Sequence, residues 1–161
     1  MQIKETIHQI LNQLSSILTQ LNDDEYTKEL LILNNQTIGK HTRHILEFFQ
    51  AIVYSDHYIC YDERKRDNGL ETSVTYTLNC ISEVKNNFLN INPHQAIQFK
   101  QLIGDTFVET KSSIEREMIY CIDHSIHHFA IIKIALKDSF PHITINENFG
   151  IAYSTINYHK K

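Results

Sequence analysis

Glycine and proline are scarce in this chain, which has four glycines and two prolines in 161 residues. Both residues mark tight turns, so turn-rich β-sandwiches and β-barrels are disfavoured, and long helices joined by few connections are favoured. Apolar residues make up 42% of the chain, enough for one domain with a hydrophobic core. We therefore predict a single helical domain over residues 1–161.

Apolar residues recur at intervals of three and four along four segments, which predicts four long helices. Thr37 is the expected N-cap of the second helix, and Ser112 with Glu115 forms a capping-box pattern at the start of the fourth. The predicted helices cover residues 2–21, 38–55, about 71–89, and from the capping box to about 138. The predicted fold class is all-α, a four-helix bundle.

A long crossover separates the third and fourth predicted helices. Pro93 ends the third helix. Gly104 and Asp105 then stand between two runs rich in β-branched and aromatic residues, which predicts a small hairpin or an irregular crossover. The C-terminal tail, residues 142–161, has no helical period and is expected to be irregular and to pack across the bundle.

Charge and hydropathy exclude several classes of function. The formal net charge of -4 gives no electrostatic footprint for nucleic acid. No apolar run is long enough to span a membrane, and the first residues lack the apolar block of a signal peptide, so we expect a cytoplasmic protein. The three cysteines, Cys60, Cys80 and Cys121, show no CxxC spacing and are expected to be reduced thiols.

Histidines are unusually frequent, with ten in the chain, and three of them lie in the run CIDHSIHHFAIIKIAL of the fourth helix. His124 and His128 are four residues apart, so their rings share one face of the helix, while His127 points about a quarter turn away. The second helix carries His41 within its apolar stripe and His44 beside it. If these helices are neighbours, an imidazole of the second helix can meet the pair on the fourth.

Three neutral imidazoles at one point suit Zn²⁺, Ni²⁺, Fe²⁺ or Cu²⁺. Three protein ligands leave a coordination position for water, as in catalytic metal sites. The alternative is that the paired histidines flank the helix and bind carboxylates such as Glu117 or Asp123. Cys121, one turn before His124, is either a small buried residue or a soft ligand.

The charged block YDERKRD, residues 61–67, also has two interpretations. It can be a solvated loop with local ion pairs. Alternatively, Arg64 or Arg66 folds over the histidines and binds an anionic group of the substrate.

Three motifs resemble the DinB/YfiT-like superfamily: TIGKHTRHILEFF at residues 37–49, IDHSIHHFAI at 122–131 and FGIAYSTI at 149–156. The resemblance implies a DinB-like four-helix bundle with a divalent metal held by His44, His124 and His128. His41 then stands beside the ligands or replaces one of them. His127, Glu117 and Cys121 are further residues expected to surround the ligands or to substitute for one.

The resemblance also implies a function. Members of the superfamily include metal-dependent transferases that act with low-molecular-weight thiols such as mycothiol or bacillithiol. We therefore expect a bacterial metalloenzyme, with Zn or Ni as the metal, that acts on a small molecule as a thiol-dependent S-transferase or a hydrolase. The alternative is a non-catalytic metal-binding or dimerisation module, and a homodimer is expected in either case.

Overall fold

The computed structural model describes residues 2–159, and its fold class is mixed α/β. The predicted all-α four-helix bundle is wrong, because a three-stranded sheet is part of the fold. A 3₁₀ turn at Leu31–Leu33 precedes the helix that begins at Ile38. The elements are α1 Gln2–Leu18, α2 Asp23–Tyr26, α3 Ile38–Val53, β1 Tyr58–Cys60, α4 Gly69–Thr72, α5 Val74–Asn90, β2 Ala96–Ile103, β3 Thr106–Ser113, α6 Ile114–Ser139 and α7 Tyr153–Tyr158.

The long helices α1, α3, α5 and α6 lie in the segments where the apolar period predicts them. Thr37 caps α3 as expected, because its hydroxyl accepts the Lys40 N–H at 3.0 Å. The predicted capping role of Ser112 is wrong: Ser113 caps α6 and accepts the Arg116 N–H at 3.2 Å. Ser73 caps α5, so the predicted third helix is divided into α4 and α5.

The sheet combines a local hairpin with one long-range strand. Strands β2 and β3 pair antiparallel around Gly104, whose φ of +60° suits the tight turn. Strand β1 pairs parallel with β2, and the His57 carbonyl accepts the Gln98 N–H at 2.8 Å. The hairpin is one of the two predicted forms of the crossover, whereas β1 lies in a segment predicted as a connection.

The C-terminal tail packs against α6. Phe149 is buried, and its ring stacks on Phe129 with centroids 4.4 Å apart. Lys133 donates hydrogen bonds to the carbonyls of Glu147 and Phe149, both at 2.9 Å. The tail therefore covers one side of the helix that carries three histidines, although the short helix α7 departs from the predicted irregular conformation.

Helices α3 and α6 pack side by side, and this pair sets the position of the functional residues. Their apolar faces enter one continuous core with α1 and α5. Ile45, Phe49 and Phe129 are fully buried there, so the polar flanks of α3 and α6 face each other at the edge of the core. None of the helices within residues 2–159 combines the length and the apolar character needed to cross a bilayer.

The close approach of α3 to α4 depends on Gly39. A Cβ at this position would collide with the backbone carbonyl oxygen of Glu71. We therefore expect Gly39→Ala to lower the free energy of unfolding by about 1–3 kcal/mol, as overpacked sites do. Gly104→Asn is the control in a urea titration, since it adds a side chain in open space at a positive φ that asparagine tolerates. An equal loss in both variants would contradict this explanation.

Candidate metal centre

Helices α3 and α6 bring His44, His124 and His128 together. Each ring offers one nitrogen, and these atoms all lie within 4.8 Å of one another. The Nε2 atoms of His44 and His124 are 2.9 Å apart. The ring of His128 lies 4.8 Å from that of His44 and 4.6 Å from that of His124, measured between centroids.

These separations suit a divalent ion. Zn–N bonds of about 2.0–2.1 Å in tetrahedral geometry place ligand nitrogens about 3.4 Å apart, between the closest distance of 2.9 Å and the upper limit of 4.8 Å. Small rotations of the rings would reach that geometry. The three rings are half-buried, so a bound ion would remain accessible to solvent. The cluster could therefore hold a metal ion.

The two other predicted histidines lie beside this cluster. His41 approaches His128 with their Nδ1 atoms 3.0 Å apart, so one ring donates to the other and Nε2 of His128 remains for a ligand bond. This is the type of contact that fixes the orientation of a metal-binding histidine. His127 is exposed, and its centroid lies 5.4 Å from that of His128.

Arg64 contacts the outer side of His44. Its Nη2 donates to His44 Nδ1 at 2.8 Å. Arginine has only donors, so His44 Nδ1 must accept, and the neutral ring carries its proton on Nε2, facing His124. Metal-binding histidines usually donate their second N–H to a carboxylate or carbonyl. Binding through His44 Nε2 therefore requires either loss of that proton or movement of Arg64.

Glu47 holds Arg64 in this position. The Glu47 side chain is fully buried, and its carboxylate accepts Arg64 Nε at 3.0 Å and Arg66 Nη1 at 3.2 Å. Arg43 Nε lies 3.4 Å away, and the Asp67 backbone N–H donates at 3.0 Å. The charge of the buried carboxylate is thus compensated by arginines from α3 and from the loop after β1.

The two arginines predicted to bind substrate differ in how many of their N–H donors are already bound within the protein. Arg64 also donates from Nη1 to the Tyr61 carbonyl at 2.6 Å, so three of its nitrogens are bound within the protein. The Arg66 side chain is 51% exposed and contacts only Glu47 among the described carboxylates. Arg64 thus orients His44, while Arg66 retains donors that face solvent.

Glu117 and Cys121 lie apart from the three histidines. The Glu117 carboxylate is fully buried and accepts the Tyr61 hydroxyl at 2.9 Å, the Ser112 hydroxyl at 2.6 Å and Arg116 Nη1 at 2.9 Å. Neither residue belongs to the group of atoms that could share an ion. Burial raises the pKa of Cys121 to about 12, so its thiol stays protonated at neutral pH.

Aromatic rings connect this buried cluster with the three histidines. Phe48 stacks on Tyr61 with centroids 4.3 Å apart and on His124 with centroids 4.6 Å apart. Tyr120 lies 5.6 Å from His124. These rings form an apolar wall on one side of the histidines and limit the positions that His124 can adopt.

Burial keeps the histidines neutral. It lowers the pKa of His44 to about 3, with the Arg64 charge as the next cause, and it lowers that of His128 to about 3, followed by the effect of His124. The pKa values of His41 and His124 are also lowered, chiefly by burial. Neutral imidazoles have a free lone pair, which is the form that binds metal.

Sequence reasoning missed Glu47 and Tyr61. Glu47 could have been found, because a carboxylate inside the apolar run ILEFF, four residues after Arg43, indicates a buried charge with a partner on its own helix. Tyr61 stands in an irregular loop, and no periodic pattern of apolar residues predicts the path of that loop. Its contacts with Glu117 and Phe48 depend on strand β1.

No known protein family, no curated protein and no solved structure matches this chain. The resemblance to the DinB/YfiT-like superfamily depends on the short motifs alone.

Proposed function

We propose that this protein is a divalent-metal-dependent enzyme that acts on a small molecule, as a thiol-dependent S-transferase or a hydrolase. The observation that carries the proposal is the convergence of His44, His124 and His128 within 4.8 Å. Three ligands leave a coordination position for a reactant. The similar order of the histidine motifs in the DinB/YfiT-like superfamily supports the same class of chemistry.

An ion such as Zn²⁺ or Ni²⁺ would supply Lewis-acid chemistry and would lower the pKa of a thiol or a water molecule at the open position. The chain's own residues would then orient the reactants and accept the released proton. His41 is a candidate proton acceptor, since burial lowers its pKa and keeps it neutral at neutral pH, and its ring lies beside His128 with centroids 5.2 Å apart.

Arg64 and Arg66 would have different roles, one on a ligand and the other on the substrate. Arg64 is a positioning residue, because it holds the His44 ring from behind through a 2.8 Å hydrogen bond. Arg66, with its exposed guanidinium, is the candidate for binding an anionic group of the substrate. A negatively charged thiol cofactor or substrate would complement the exposed guanidinium of Arg66.

Elemental analysis of protein purified without a histidine tag tests the metal site. We expect near-stoichiometric metal in the wild type after incubation with Zn²⁺ or Ni²⁺, and its loss in His44→Ala. His127→Ala is the matched control, because it removes an imidazole next to a proposed ligand but outside the cluster, and it should retain the metal. His41→Ala should bind metal with about 10–100-fold lower affinity, as expected when a ligand loses its hydrogen-bond partner.

Two outcomes would contradict the proposal at different levels. A wild type that takes up neither ion, or a His44→Ala variant that keeps its metal, would remove the metal site. A loaded wild type without metal-dependent thiol consumption or hydrolysis across a panel of electrophilic substrates would instead favour the non-catalytic metal-binding module. Turnover that requires metal and disappears in His44→Ala would support the enzyme.

A further inference from the structure

We propose that two copies of this chain pair through the free edges of their β3 strands, forming one continuous antiparallel sheet. Strand β3 is the last strand in the order β1-β2-β3, so one of its edges has no partner among the described residues. None of the three candidate metal ligands, which come from α3 and α6, lies on this strand.

Strand β3 lacks most of the features that normally protect an edge. Natural edge strands are kept short, contain proline or charged side chains, or are interrupted by a bulge, and of these β3 has only the charges of Glu109 and Lys111. Residues 106–113 form eight consecutive pairs with β2, without an interruption in register and without proline. Four apolar side chains of the hairpin, Leu102, Ile103, Phe107 and Val108, are 43% to 61% exposed. A long, regular and partly apolar edge of this kind is suited to pairing.

The alternation of backbone groups identifies the residues that face the free edge. Gln98 donates its N–H to the His57 carbonyl, towards β1. The backbone N–H and C=O groups of its neighbours in β2, Ile97 and Phe99, therefore point towards β3. Phe99 pairs with Thr110, so Thr110 directs its N–H and C=O groups towards β2. Its neighbours Glu109 and Lys111 therefore direct theirs outward. Phe107 and Ser113 follow the same alternation.

A two-fold axis at Thr110 gives a self-complementary register. Residue pairs then have numbers that sum to 220, so Glu109 of each copy stands opposite Lys111 of the other. Both side chains are exposed, and neither forms an ion pair within the described residues. Opposite charges in directly facing positions stabilise a strand pair, as does the Thr110–Thr110 contact on the axis.

Two neighbouring registers also place residues with outward N–H and C=O groups opposite each other, but both are less favourable. An axis at Glu109 places the two Glu109 carboxylates opposite each other, and an axis at Lys111 does the same for the two ammonium groups. Like charges in facing positions destabilise a strand pair. The axis at Thr110 also keeps residues 107–113 of both copies paired, with outward N–H and C=O groups at four positions on each strand.

Charge-swapped variants test this register. Sedimentation velocity of the untagged protein over a concentration series should show a monomer–dimer equilibrium. E109K and K111E each turn two attractive pairs into two repulsive ones, so each should raise the dimer Kd about tenfold or more. The double variant E109K/K111E should restore dimerisation. An equimolar mixture of the two single variants should form heterodimers, since every facing pair then has opposite charges.

D56K is the control, because it changes the charge by the same amount as E109K at an exposed turn residue and should leave the Kd unchanged. A wild type that stays monomeric at concentrations of several hundred micromolar would overturn the proposal. A dimer that is insensitive to both single variants, or one that the double variant does not restore, would overturn the register and the edge contact. A monomer that instead binds extended peptides along β3 would show that the edge serves a different partner.

Discussion

Glu47→Ala should lower the free energy of unfolding by about 3–5 kcal/mol, the range for breaking a buried ion pair by removing one partner. The Glu47 carboxylate is fully desolvated and lies 3.0 Å from Arg64 and 3.2 Å from Arg66. Its removal leaves Arg64, whose side chain is only 9% exposed, without its compensating charge. It also removes the acceptor for the Asp67 backbone N–H. Urea unfolding followed by circular dichroism measures the loss.

Glu63→Ala is the matched control for this prediction. Glu63 also pairs with a cation, Lys100 at 3.2 Å, but its side chain is 51% exposed. Exposed pairs contribute about 0–1 kcal/mol, so the control should change stability little. A loss below about 1 kcal/mol in Glu47→Ala would mean that the buried cluster is not required for stability.

Glu47→Gln separates charge from shape, because it retains an acceptor for the Asp67 N–H but not the negative charge. A loss close to that of Glu47→Ala would assign the effect to the charge. The same variant tests the candidate metal centre, since an Arg64 released from Glu47 can leave His44 Nδ1, which is the movement that binding through His44 Nε2 requires. Metal affinity should therefore rise in Glu47→Gln and stay constant in Glu63→Ala.

The helices were predictable because their signal is local. Each long helix buries a stripe of residues spaced by three and four, and a cap such as Thr37 stands next to the residues it caps. Strand β1 carried no comparable signal: it has three residues, and its parallel partner lies about forty positions later in the chain. The all-α prediction failed here, since a three-residue run cannot show an alternating period and its pairing is decided by tertiary contacts. It also failed at β2 and β3, because the runs around Gly104 predicted an irregular crossover as readily as a hairpin.

The histidine pair was predictable for the same reason, since the spacing of His124 and His128 fixes their relative direction on any helix. The spacing alone did not settle the choice between His41 and His44, because it depends on the rotation of α3 against α6; only the resemblance to the DinB/YfiT-like superfamily selected His44. The helical wheel placed His41 closer to the core stripe, whereas the structure directs His44 towards the pair and His41 towards His128. Arg64 reaches His44 from a loop, and no helical pattern could have indicated that contact.

The metal-free protein should lose stability as the pH falls from 7 to 5. The pKa of both His44 and His128 is about 3 in the folded state, against 6.5 for an unperturbed histidine. Below pH 6.5 the unfolded chain therefore binds protons that the folded chain does not, and acid favours unfolding. The stabilisation is fully present above pH 6.5 and is lost progressively towards pH 3.

The free energy of unfolding should fall by about 1–2 kcal/mol for each unit of pH, for the two rings together. This is less than two fully buried rings would give, because solvent screens charges at these half-buried positions. Urea titrations in EDTA at pH 7, 6 and 5 measure it. The double variant His44→Gln/His128→Gln lacks the two rings whose pKa is lowered to about 3 and should partly flatten the dependence. The remaining slope would come from His41 and His124, whose pKa values are also lowered. If the double variant kept the wild-type slope, other groups would be responsible for the acid sensitivity, and burial of these two imidazoles would not control the protonation of the site. A flattened slope would show that folding itself keeps both rings in the neutral form that metal binding requires.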